Sequence, residues 1–324
     1  MASSSAPRTS SPIDAIADAY VTTICELDPL AATAMGVAGY DHLMTDFSPA
    51  GAEALAEAGR AVLRRLEETE PVDEVDAVTI AAMRERIGLQ LELHEAGEGY
   101  AQLNNIASPV QDLRDIFDIM PTGTVEAWQN IASRLAKMPE AVESFIASLR
   151  HAAERGNVSA ARQVQICVEQ SREIADPESG FFLGFVKGEE VSTLLAAEPA
   201  LRAELERAAQ AATAAYGRLA DFLETELAPQ APKEDAVGRE RYALWSRYFL
   251  GSAVDLEETY QWGLEELARI VAEQEAVAEQ IAGPRATVEQ AVAALDADPE
   301  RTLKGTKALQ EWMQTTADEA IAAL

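Results

Sequence analysis

Residues 239–270 read Arg-Glu-Arg-Tyr-Ala-Leu-Trp-Ser-Arg-Tyr-Phe-Leu-Gly-Ser-Ala-Val-Asp-Leu-Glu-Glu-Thr-Tyr-Gln-Trp-Gly-Leu-Glu-Glu-Leu-Ala-Arg-Ile. Two of the chain's four tryptophans and three of its seven tyrosines fall here, although only 6% of all residues are aromatic. Large contact area is therefore concentrated in this stretch. It reads as two helices joined near Gly251–Asp255. The first brings Arg241, Tyr242, Trp245, Arg247 and Tyr248 onto neighbouring turns. The second runs to about Ile281, with Asp255 as N-cap and Glu257 and Glu258 complementing the positive end of the dipole. It holds eight acidic residues against the single base Arg269. Its stripe of Tyr260, Leu264, Leu267, Val271 and Ile281 is spaced to pack on a neighbour.

The same helical signals recur on both sides. Ser11-Pro12, Ser48-Pro49 and Ser108-Pro109 each pair an N-cap with a first-turn proline. Val125, Trp128, Ile131 and Leu135 form an amphipathic stripe. Gly97 with Gly99, and Gly156-Asn157, stop helices. No segment alternates convincingly with period two. The expected fold is all-α, a multi-helix array of antiparallel helices with short loops and no significant β-sheet. A disordered tail is expected over 1–11. Pro229 and Pro232 cannot continue a helix and divide a region 12–230 from a region 233–324.

Twenty-six basic against 55 acidic residues give a net charge of −29. That disfavours nucleic acid and anionic membrane, which depend on Lys and Arg neutralising phosphates. No run approaches the ~20 apolar residues needed to span a bilayer, and the N-terminus lacks the apolar stretch of a signal peptide. A cytoplasmic location is expected. Cys25 and Cys167 sit among apolar neighbours and read as buried free thiols.

Few residues offer chemistry. His94-Glu-Ala-Gly-Glu98 begins like the zinc motif HExxH, which needs histidines at i and i+4 to reach one metal from one helix face. Here i+4 is Glu98, so His94 reads as a helix-end residue. His151 suits a helix C-terminus. His42 lies in a loop between Asp41 and Asp46, the one candidate for a stand-alone site. No histidine follows a glutamate by three, as a carboxylate-bridged di-metal bundle would want. Neither a catalytic residue nor a metal ligand is assigned. The remaining candidate is substrate binding by Arg241, Tyr242, Arg247 and Tyr248. Arginine and tyrosine together can grip a carboxylate such as a peptide C-terminus, or form a packed aromatic face with snorkelling arginines.

The stretches 238–251 and 255–270 resemble the bacterial "domain of unknown function 885" family. Tyr-Asp-His-Leu-Met-Thr-Asp-Phe-Ser-Pro (40–49), Asn-Ile-Ala-Ser-Pro-Val-Gln (105–111) and Ala-Arg-Gln-Val (161–164) fit it in the same order. That family is grouped with zincin-like metallopeptidases whose HExxH lies in a C-terminal half. The resemblance implies the N-terminal helical portion of a zinc-dependent peptidase-like hydrolase, forming part of a substrate-cleft wall and inactive alone. Zinc and a peptide-like substrate are expected for a full-length parent, with no cofactor in this chain. The alternative is a non-catalytic acidic helical scaffold or interaction protein.

Overall fold

A computed structural model describes residues 8–323, and among them fifteen α-helices and no strand. The helices form two units, divided between Gly251 and Ser252.

The first unit starts at a well-held N-terminus. Ser11 caps α1 (Pro12–Leu27) in a reciprocal box with Asp14, and the Ser11 hydroxyl donates to buried Asp76 at 2.6 Å. Arg8 pairs with Asp14, Asp73 and Asp76. Capping by Ser11 and the ion pairs of Arg8 hold the last residues of the expected tail, whose residues 1–7 lie outside the described residues. α2 (Pro29–Ala34) follows on the Asp28 cap. α3 (Pro49–Glu67) and α4 (Glu74–Glu95) pack on α1 through Ile13, Ile16, Val62, Leu66, Ile80 and Ile87.

The larger core belongs to α5 (Pro109–Ile119), α6 (Val125–Ala136), α7 (Met138–Ala153), α8 (Ala161–Ile174), α9 (Phe181–Phe185), α10 (Glu189–Leu194) and α11 (Pro199–Phe222). α11 is the axle, packing on α6, α7, α8 and α9. Its alanines Ala209, Ala212, Ala215 and Ala220 are all fully buried, so neighbouring backbones approach closely. Tyr216, also fully buried, donates its hydroxyl to the Val110 carbonyl at 2.8 Å, satisfying the one polar atom that its burial would strand.

A loop over 36–48 joins the two cores, and one buried cation organises it. The Arg134 guanidinium donates to the carbonyls of Leu43 and Tyr40 and to the Thr33 hydroxyl, at 2.8, 3.1 and 2.9 Å. α12 (Arg239–Leu250) closes the unit and ends on Gly251 at φ 69°, a left-handed C-cap that suits glycine. α12 packs on α4, and the division between the two compact units falls after it, at Gly251–Ser252.

The second unit holds α13 (Leu256–Ala282), α14 (Val288–Ala297) and α15 (Thr306–Ala323). α13 and α14 pack as a hairpin around buried Ala278 and Ala291. The stripe expected to meet a neighbour is largely uncovered: Tyr260, Leu264, Leu267, Val271 and Ile281 are all exposed.

Candidate functional site

A cavity of about 470 Å³ lies in the first unit, where α1, α3, α4, α7 and α12 converge. Its walls are mixed. Tyr20 and Ile24 come from α1, Ile87, Leu91 and His94 from α4, and Phe145 from α7. The loop before α3 adds Thr45, Asp46 and Phe47, and α12 adds Trp245 and Tyr248. Concave, mostly apolar surface with a few convergent polar groups is the usual form of a small-ligand site.

The turn after α4 supplies the polar centre. Gly97 at φ 79° reverses the chain, and the short turn Glu98–Tyr100 follows. Glu98 is only 6% exposed. Its Oε2 accepts from Arg241 Nε at 2.9 Å and from Trp245 Nε1 at 2.8 Å. Tyr100 lies between two imidazoles, with ring centroids 5.3 Å from His94 and 4.7 Å from His151. His94 Nε2 lies 2.9 Å from Glu53 Oε2 and 3.4 Å from the Tyr100 hydroxyl. Hydrogen bonds from Arg60 first, then His94, hold the Glu53 carboxyl below its usual range. Burial pushes the phenols of Tyr100 and Tyr20 upward, so both stay protonated donors at neutral pH.

The loop wall is locked from behind. Asp28 Oδ1 accepts from the Thr45 hydroxyl at 2.5 Å and from the Ala31 amide at 3.1 Å. Ser148 donates to the Phe47 carbonyl at 2.6 Å, and Ser144 accepts from the Phe47 amide at 3.0 Å.

Of the four residues expected to bind substrate, only Tyr248 lines the cavity. Its carbonyl accepts from Arg86 at 2.7 Å, and the same guanidinium lies 5.2 Å from its ring centroid. Arg241 is bound to Glu98, and Arg247 forks onto Glu92 at 2.8 and 3.1 Å. Tyr242 points to solvent, 57% exposed. The arginines that could have gripped a carboxylate are therefore already paired within the chain. The acidic loop trio is separated as well. Asp46 lines the cavity, Asp41 accepts from Thr33, and the His42 carbonyl accepts from Ser133 and Lys137.

Sequence reasoning missed Glu98, Tyr100 and Phe47. The available signal for Glu98 was a carboxylate set between two glycines, of which Gly97 reverses the chain. Nothing local marked Tyr100, whose partners lie on α4 and α7. Among the described residues, no three of His, Cys, Asp and Glu converge as metal ligands. The residues present therefore do not fit a zinc site, and His94 and His151 are both engaged with Tyr100.

The family model described as "Bacterial protein of unknown function (DUF885)" matches residues 29–324. The chain belongs to the DUF885 family. The match takes in the whole cavity except its α1 wall and the Asp28 cap. A solved structure described as "the putative lipoprotein from Colwellia psychrerythraea" shares the fold at a TM-score of 0.73 and 16% identity, covering 97% of this chain and 59% of that one. A second, a "putative lipoprotein of unknown function from Shewanella oneidensis", gives 0.63 and 12% identity, covering 84% and 48%. The DUF885 chain thus spans about half to three-fifths of the solved proteins it matches. No curated protein matches it. No helix among the described residues is long and apolar enough to cross a membrane.

Proposed function

We propose that this DUF885 chain is the helical N-terminal portion of a zinc-dependent peptidase-like hydrolase, and that its cavity belongs to a wall of the substrate cleft. The observation carrying this reading is the position of α12. α12, which lies in a stretch whose sequence resembles the family, supplies Trp245 and Tyr248 to the cavity. The greater length of the Colwellia and Shewanella proteins supports a longer parent. The zinc and its general base would come from further residues of a longer parent, because among the described residues no three of His, Cys, Asp and Glu converge as metal ligands.

Metal analysis and peptide hydrolysis test the reading. A longer parent should carry one zinc per chain and cleave peptides, and the 324-residue chain should do neither. A longer parent with neither zinc nor activity overturns it. The competing reading, a non-catalytic acidic scaffold, draws support from one observation: Arg241, Arg247 and His94 all have intramolecular partners. The zinc content of the parent separates the two.

A further inference from the structure

The cavity presents carboxylates and aromatic rings but no strong base. Asp28, Asp46 and Glu98 line it, and none of its described lining residues is lysine or arginine. His94, its one imidazole, is already engaged by Glu53. Each carboxylate is held through one oxygen. Arg241 and Trp245 both meet Oε2 of Glu98, and Oε1 accepts nothing from a described residue, although the side chain is 94% buried by the 6% exposure that its ion pair with Arg241 records. Asp28 uses Oδ1 for the Ala31 amide and the Thr45 hydroxyl, and Asp46 uses Oδ1 for the Ser48 amide.

An anion entering this space would give up its water and meet the Asp28 and Asp46 carboxylates, while the Arg241 guanidinium is already spent on Glu98. An ammonium or guanidinium would meet a free carboxylate oxygen at close range, a charge-assisted hydrogen bond. It would also meet the negative faces of the Tyr20, Phe47 and Trp245 rings. Leu55, Ile87 and Leu91 offer apolar surface to whatever carries the charge.

We propose that this cavity binds an organic cation, an apolar body bearing an ammonium or guanidinium group such as a basic peptide side chain, with Glu98 Oε1 as its acceptor. The proposal rests on the cavity being the ligand-facing site. It does not rest on a zinc-dependent parent.

The test is calorimetric titration of the 324-residue chain with benzylamine, and with benzyl alcohol and benzoate as the neutral and anionic counterparts. Benzylamine should bind at least about tenfold more tightly than either, and added salt should weaken it selectively. Asp46→Asn keeps the Oδ1 acceptor for Ser48 and removes the charge. It should weaken benzylamine roughly fivefold and leave benzyl alcohol unchanged. Glu98→Gln should erase the preference for the amine, and Asp46→Asn guards against any loosening of Arg241 in that variant. Benzoate or benzyl alcohol binding as tightly as benzylamine overturns the proposal. So does benzylamine affinity unchanged in both variants, or no benzylamine binding at ~10 mM. Zinc and peptidase measurements on a longer parent do not enter these titrations, so either proposal can fail alone.

Discussion

Arg241 approaches a single oxygen of Glu98, Oε2, with both Nε at 2.9 Å and Nη2 at 2.7 Å. The contact joins α12 to the turn after α4 across 143 residues of sequence. It consumes Oε2 of Glu98 and leaves Oε1 with no donor among the described residues.

Arg241→Ala should therefore destabilise the first unit by about 2 kcal/mol, because it leaves a buried carboxylate with only an indole donor. Urea unfolding followed by circular dichroism reads the change. Arg241→Lys should recover part of it, since an ammonium restores the charge but not the two-pronged approach. A wild-type midpoint for Arg241→Ala would show that the pair contributes nothing.

Arg134 is the second cation on which the cavity depends, though it lies behind the wall. Burial lowers its guanidinium to about 10, so it is still charged at neutral pH. Arg134→Met fills similar volume but strands the Leu43 and Tyr40 carbonyls. We expect a loss of about 3 kcal/mol and faster protease cleavage within 36–48. Unchanged cleavage there would mean that the loop holds itself.

Cys167 predicts an alkaline limit. Its thiol donates to the Asn104 carbonyl at 3.2 Å, and burial pushes it from 9.0 up to about 12. The unfolded chain releases this proton first, so the contribution is complete below pH 9 and declines as pH rises toward 12. Native protein at pH 8 should leave Cys25 and Cys167 unreactive to a thiol reagent, and Cys167→Ala should flatten part of the stability decline above pH 9. Rapid native labelling of Cys167 would contradict the burial on which this depends.

The acid limb has the opposite sign. Asp14, Asp73, Glu53 and Glu57 are all held below their ordinary values, chiefly by hydrogen bonds from Ser11 for Asp14 and from arginines for the rest. Their contribution is present above the ordinary carboxylate range and is lost as pH falls through and below it. Thermal melts should drop between pH 5 and pH 3, and less steeply in Arg8→Ala than in the parent chain. Equal slopes would remove the Arg8 cluster as a cause.

How much was legible varied with the range of the interaction. Helix starts at Ser11-Pro12, Ser48-Pro49 and Ser108-Pro109 were readable because a cap is a contact between residues three apart. The 239–281 stretch was correctly read as two helices and as the mark of the family. The same reading offered its arginines either as a grip for a carboxylate or as part of a packed aromatic face. The partners of those arginines, Glu98 and Glu92, stand 143 and 155 residues earlier in the chain, beyond the reach of a local pattern.

By itself, then, the sequence determined the helical fold, its punctuation and the family, because periodicity, caps and turn residues act over a few positions. Only the tertiary structure brought together the residues that line the cavity and gave the arginines of α12 their partners, because those contacts join residues far apart in the chain. An arginine reads as a free cation until the fold brings a carboxylate to it. Here Arg241 turns inward to Glu98, and Trp245 and Tyr248 of the same helix become part of the wall of an aromatic-lined cavity.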